Sequence, residues 1–210
     1  MIINLKRENL PLGKFQYIAL QNSKEIGRAD FNSGKKGQIS ANIYFSMKNF
    51  EMSISTFFGK GTKENGIDIR EAATYSDGEE VNHIYYCGKK GSNFFNGIYY
   101  WATNYHDETY EIYEVGHGRK GIYFCIWNRG KIAAIISKDT HTKHFESIYT
   151  IFAENEMSLE LMVIVSLFWD ITRYFPSSSS EEWHTLNTWQ KELKNRYDPA
   201  FIPRIKEMER

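Results

Sequence analysis

The sequence predicts a mainly β protein in which a closed antiparallel sheet surrounds one buried hydrophobic helix. Three observations carry this. Apolar and polar residues alternate with period two in short runs through the first three-quarters of the chain. Near residue 157 the alternation gives way to an unbroken apolar stretch. The composition is aromatic-rich, with 14 Tyr, 14 Phe and 5 Trp, and it has 15 Gly against 4 Pro, which suits strands joined by Gly turns.

The strands follow from alternation bounded by Gly, Asn and Asp clusters. Phe15–Leu20 is the first. Ile39, Ala41, Ile43 and Phe45 interleave with Ser40, Asn42 and Tyr44, and Phe50, Met52, Ile54 and Thr56 repeat the pattern. Val81, His83, Tyr85 and Cys87 do so again. Further strands fit Gly97–Thr103, Thr109–Val115, Ile122–Trp127, Lys131–Ser137 and Ile148–Ala153, with a hairpin at Asn128-Arg129-Gly130. So many strands in series point to closure, which removes unpaired edges.

From Met157 to Tyr174 apolar residues lie on every face, without Pro or Gly. Such a helix has to be buried all round, and at ~1.5 Å per residue it suits the axis of a barrel. Val163, Ile164, Leu167 and Phe168 are expected to be buried, and Asp170 to reach solvent or a hydrogen-bonding partner at the rim. Residues 1–175 thus form the barrel with its central helix 157–174, and residues 176–210 a helical extension packed upon it. Ser179-Ser180-Glu181-Glu182 reads as a capping box opening an amphipathic helix, Ser180–Arg196. Trp183, Leu186, Trp189 and Leu193 share one face of it, and Ile202–Met208 adds a last turn.

Lys plus Arg and Asp plus Glu are both 26, so the net charge is zero. That excludes a globally basic nucleic-acid binder. The longest apolar run, Leu161–Trp169, is far below the ~20 residues of a membrane span, and MIINLKRENL has no signal-peptide core. Cys87 and Cys125 sit in apolar stretches and read as reduced thiols of a cytosolic protein.

Gly116-His117-Gly118-Arg119-Lys120-Gly121 matches G-x-G-x-x-G. A strand follows it rather than a helix, so a dinucleotide site is excluded, and the kinase motifs H-R-D and D-F-G are lacking. The motif also belongs to a set. Gly34-Lys35-Lys36-Gly37, Gly88-Lys89-Lys90-Gly91 and Gly118-Arg119-Lys120-Gly121 are basic pairs between glycines, each between strands. Glycine frees backbone N–H groups to turn outward while Lys and Arg supply charge, so such tips can hold phosphates. Lys35, Lys36, Lys89, Lys90, Arg119 and Lys120 are therefore the candidate anion contacts. The same residues also make ordinary soluble turns, and their convergence is a question for the fold.

Asp139, His141 and His144 are at most half a metal site, and no metal or other cofactor is expected. His83 and His106 lie among aromatic strands, and Glu79-Glu80, Asp107-Glu108 and Glu181-Glu182 pair with no second carboxylate. No G-x-S-x-G, C-x-x-C or P-loop occurs.

The stretch GHGRKGIYFCIWNRGKIAAIISKD, followed by FESIYTIFAENEMSLELMVIVSLFWDITRY, resembles the tubby C-terminal-like superfamily. This superfamily includes the phospholipid scramblases, the plant LURP-one-related proteins and small bacterial members. The shared pattern is Ala133–Ile135 in one strand, Tyr149–Ile151 in the next, an acidic turn, and a very apolar helix bearing Asp170 late in its course. It spans about residues 95–174. The resemblance implies a twelve-stranded antiparallel barrel around a central helix. Animal members bind phosphoinositides through basic surface residues. The membrane segment and palmitoylated cysteines of scramblases have no counterpart here.

Residues and resemblance together favour a non-enzymatic binding module for an anionic ligand such as a lipid headgroup, at the inner membrane face, or for a protein partner. Two other readings stand beside it. One is an enzyme with a small-molecule site at the barrel mouth, built from distant residues such as His83, His106 and Glu111. The other is an interaction protein acting through the Trp183/Trp189 helix.

Overall fold

The computed structural model describes residues 1–10, 14–33, 39–46, 48–56, 63–64, 67–68, 70–89, 98–139, 141–143, 147–173, 181–183 and 185–209. The strands are β1 (Ile2–Leu10), β2 (Lys14–Gln21), β3 (Lys24–Ser33), β4 (Ile39–Phe45), β5 (Asn49–Thr56), β6 (Lys63–Glu64), β7 (Ile67–Asp68), β8 (Arg70–Ser76), β9 (Glu79–Lys89), β10 (Ile98–Tyr105), β11 (Glu108–Gly116), β12 (Ile122–Asn128), β13 (Lys131–Lys138), β14 (His141–Lys143), β15 (Ile148–Ala153) and β16 (Glu181–Trp183). Twelve of them close into a barrel in the order β1-β15-β13-β12-β11-β10-β9-β8-β5-β4-β3-β2. Small two-stranded pairs, β6–β7 and β14–β16, lie outside it.

Every neighbouring pair in the barrel is antiparallel. Connections therefore alternate between two ends. At one end, the turn end, the hairpins are tight. Asn22-Ser23, Asp77-Gly78, His106-Asp107 and Arg129-Gly130 all have positive φ at both central positions, the geometry of a type I′ turn. The other end, the loop end, receives the connections Leu10–Lys14, Ser33–Ile39, Thr56–Arg70, Lys89–Ile98, Gly116–Ile122 and Lys138–Ile148.

Helix α1 (Leu159–Arg173) enters at the turn end and leaves at the loop end. Ser158 caps it, its Oγ accepting the Leu161 N–H at 3.3 Å. Eleven consecutive residues, Leu161 to Ile171, are buried. The interior is closed by alternating strand residues, among them Ile3 and Leu5, Tyr17 and Ala19, Ile112, Phe124 and Ile126, and Tyr149 and Ile151. Trp169 stacks on Phe124 at 4.3 Å between ring centres, and Phe168 meets Trp101 edge-on at 5.9 Å. The expected burial of Val163, Ile164, Leu167 and Phe168 is observed. Asp170 has the expected partners, but well beneath the rim, with no exposure of its own.

Three barrel strands carry no strong alternation and are not legible in the sequence. In β1 the inward row is Ile3, Leu5 and Arg7, and Arg7 breaks the apolar pattern because it faces Asp170. In β3 and β8 the inward rows include Gly27, Ala29 and Ala72, which are too small to register.

The C-terminal extension departs from expectation. The helix expected over Ser180–Arg196 is replaced by β16, paired with β14 through Trp183↔His141, then an extended run and a one-turn α2 (Lys191–Lys194). Backbone pairing outweighs the helical periodicity. The Gly118 N–H donates to the Leu186 carbonyl at 2.7 Å, and the Thr188 N–H to the Gly116 carbonyl at 3.0 Å. Trp189, expected on the docking face, is 82% exposed. The last turn is longer than expected, forming α3 (Phe201–Met208). Phe201 and Ile205 cover a second apolar cluster outside the barrel, made by Ile98, Tyr113, Val115, Cys125, Ile135 and Phe152.

Candidate functional site

All three glycine-flanked basic pairs fall in connections whose flanking strand residues lie at the loop end: Ser33 and Ile39, Lys89 and Ile98, Gly116 and Ile122. The hairpins β9–β10 and β11–β12 are neighbours on the rim, about 10 Å apart at ~4.8 Å per strand. The β3–β4 connection is four strands from β9–β10, roughly 20 Å along the rim. Arg119 and Lys120 are exposed on a single 3-10 turn, Gly118–Lys120. Lys89 is the last residue of β9. Lys35, Lys36 and Lys90 lie outside the described residues, as does the side chain of Lys89.

The G-x-G-x-x-G run is a seat for the C-terminal extension. A Cβ at Gly116 would stand 2.5 Å from the Leu186 carbonyl carbon, so only glycine admits the crossing strand. Gly118 has φ +61, and Gly121 has φ +148, both favouring glycine. His117 lies against Tyr197 at 5.0 Å and Tyr123 at 5.9 Å, while Tyr123 and Tyr197 stack at 4.3 Å. Burial, Lys194 and Lys120 hold the His117 imidazole below its ordinary pKa. Farther along, the Arg196 guanidinium sits 4.6 Å from the Tyr113 ring and 5.0 Å from Trp127. The Trp127 indole N–H donates to the Arg196 carbonyl at 2.9 Å. Arg204 closes the strap on Glu154 at 2.7 Å.

Beneath the loop end lies a buried polar layer that sequence reasoning missed. Arg7 Nη1 donates to Asp170 Oδ2 at 3.0 Å, Tyr17 donates to the same oxygen at 2.7 Å, and Tyr149 donates to Oδ1. Burial alone would lower the Arg7 pKa, but Asp170, Tyr17 and Tyr149 outweigh it and raise it. Burial and Asp170 push the Tyr17 phenol well above its ordinary value, so it remains a donor. Glu114 accepts from the Trp169 indole at 2.9 Å and pairs with Arg173 at 2.8 Å. Lys138 donates to Ser147 Oγ at 3.3 Å and stands over the Tyr149 ring at 5.0 Å. The one sequence signal was an Asp in an otherwise apolar helix, which implies a buried cation without saying where in the chain to find it.

The other candidates stay apart. His83 meets Glu71 and Glu80 at 3.5 and 3.4 Å on the outer face of β9. His106 occupies the β10–β11 turn against Tyr105, and Glu111 accepts from Tyr113. With β10 between them, β9 and β11 run roughly 10 Å apart, too far for hydrogen-bonded proton transfer between His83 and Glu111. His141 lies in β14, and His144 is outside the described residues. Among the described residues, no group of three or more His, Cys, Asp and Glu is placed to hold a metal. Cys87 and Cys125 are free thiols, both pushed toward the neutral form by burial. At the turn end, a cavity of about 630 Å³ beside Ser158 carries mixed charge from Glu108, Arg129, Lys131 and Glu154. Among the described residues no helix is long and apolar enough to cross a membrane.

No family model, curated protein or solved structure matches the chain. The class defined by the fold is a closed twelve-stranded antiparallel barrel with an internal helix.

Proposed function

We propose that this protein is a non-enzymatic binding module of the tubby-like class whose ligand is anionic, an anionic lipid headgroup at a membrane surface. The observation that carries it is topological: one end of the barrel receives all three connections bearing glycine-flanked basic pairs. The tubby-like assignment rests on the pattern over residues 95–174 and on the barrel-around-helix architecture that the pattern implies. Net charge is zero, so any attraction to anions has to come from local asymmetry of this kind.

The direct test is co-sedimentation with phosphatidylcholine vesicles, with and without phosphatidylserine, at low salt and at ~0.1 M, where the screening length is ~10 Å. Binding is expected only to anionic vesicles, weakening as salt rises and on Arg119→Glu/Lys120→Glu substitution. Failure to bind anionic vesicles at low salt refutes the lipid reading. Binding unchanged by the charge reversal removes the loop end as its site.

A further inference from the structure

We infer that the C-terminal strap completes the loop end as a membrane-docking surface, with Trp189 as the interfacial anchor among Arg119, Lys120, Lys191 and Lys194. The inference rests on the proposed lipid reading and adds residues that the basic pairs did not point to.

Trp189 directly follows Thr188, whose N–H is fixed to the Gly116 carbonyl at the end of β11. The indole is therefore tethered to the rim by its neighbour's backbone, yet 82% of it faces solvent. Among the described residues it is the most exposed large hydrophobic side chain, whereas Trp101 and Trp169 are buried and Trp127 is partly so. Lys194 Nζ lies 6.0 Å from the indole ring centre. Lys194 and Lys120 both act on His117, so the turn bearing Arg119 and Lys120 and the helix bearing Lys191 and Lys194 share one neighbourhood. Residues 116–122 and 185–197 together hold five cations, Arg119, Lys120, Lys191, Lys194 and Arg196, against the single carboxylate of Glu192. Arg196 is committed to Tyr113 and Trp127, while the other four are exposed.

An exposed Trp ringed by Lys and Arg matches the chemistry of an anionic bilayer. Indole favours the headgroup level, and basic residues beside it are drawn to the surface potential. A soluble anion would use the charges and leave the indole in water. A bilayer uses both.

The test compares wild type, Trp189→Phe, Trp189→Ala, Lys191→Glu/Lys194→Glu and, as a control at the turn end, Lys24→Glu/Lys48→Glu, on phosphatidylserine vesicles with brominated acyl chains. The exposure of Trp189 means that Trp189→Ala should keep the wild-type thermal midpoint, separating binding from folding. Wild type should show quenched tryptophan emission, and Trp189→Phe should lack that quenched component. Trp189→Ala should bind about tenfold more weakly. Loss of each lysine charge should cost on the order of fivefold, so the double reversal should cost at least ~25-fold, and the turn-end control should bind like wild type. If wild type binds but its emission is unquenched and the Trp189 variants bind equally well, the docking inference falls while the anionic-ligand reading stands. If wild type does not bind anionic vesicles at all, both fall.

Discussion

Removing one partner of the buried Arg7–Asp170 pair should cost much more than removing both. The two side chains are 1% and 0% exposed and meet at 3.0 Å. In Arg7→Met the carboxylate keeps the Tyr17 and Tyr149 donors but loses its counter-charge. In Asp170→Asn a buried guanidinium faces a neutral amide. Each single change should cost ~3–5 kcal/mol, because it strands a charge away from water. The double variant removes both charges of the pair; its Asn oxygen still accepts from one phenol, and its amide N–H can donate to the oxygen of the other. Its cost should be ~2 kcal/mol, mostly from exchanging charge-assisted hydrogen bonds for neutral ones. The coupling energy is then at least ~4 kcal/mol. Against a total stability of ~5–15 kcal/mol, the single variants stand near the edge of folding. Urea titrations at pH 7 followed by far-UV circular dichroism, with an osmolyte present to hold the weak variants folded, measure all four corners of the cycle. Additivity within ~0.5 kcal/mol would show that the two groups are not energetically paired and refute the reasoning.

Two further outcomes concern the strap. Gly116→Ala places a methyl group against the Leu186 backbone, so it should cost ~1–3 kcal/mol and release residues 185–197 to proteolysis while the barrel persists; an unchanged cleavage pattern contradicts the crossing. His117 titrates below its ordinary value, held there by burial, Lys194 and Lys120. Its contribution is fully present above the unfolded value of ~6.5 and is lost as the pH falls through the folded one. Amides of 185–197 should therefore exchange faster at pH 5 than at 7.5, after correction for intrinsic rates, and His117→Phe should flatten that difference; an equal difference in the variant assigns the effect elsewhere.

Much of the barrel is legible in the chain because burial on one face imposes a period of two, and ten residues suffice to show it. β15 matches its expected bounds, β12 and β13 run one residue longer at their C-terminal ends, and β11 one residue longer at each end. The central helix is legible for a similar local reason: a run apolar on all faces has only one place to go. The hairpin at Arg129-Gly130 is announced by its own turn chemistry. β1 and β3 are not, since a strand whose inward residues are Arg7, or Gly27 and Ala29, shows its function only against what it faces.

The rest was decided across the fold. Arg7 and Asp170 are 163 positions apart, and nothing in either neighbourhood names the other. The helical spacing of Trp183, Leu186, Trp189 and Leu193 is real, but Gly116 and Gly118 offer the strap backbone a pairing surface, and those hydrogen bonds settle its conformation. The three basic pairs were visible as a repeat, and the antiparallel strand order assigns their connections to one end. In an antiparallel barrel the parity of the connections, a property of the whole strand order and of no local segment, determines which turns share a rim.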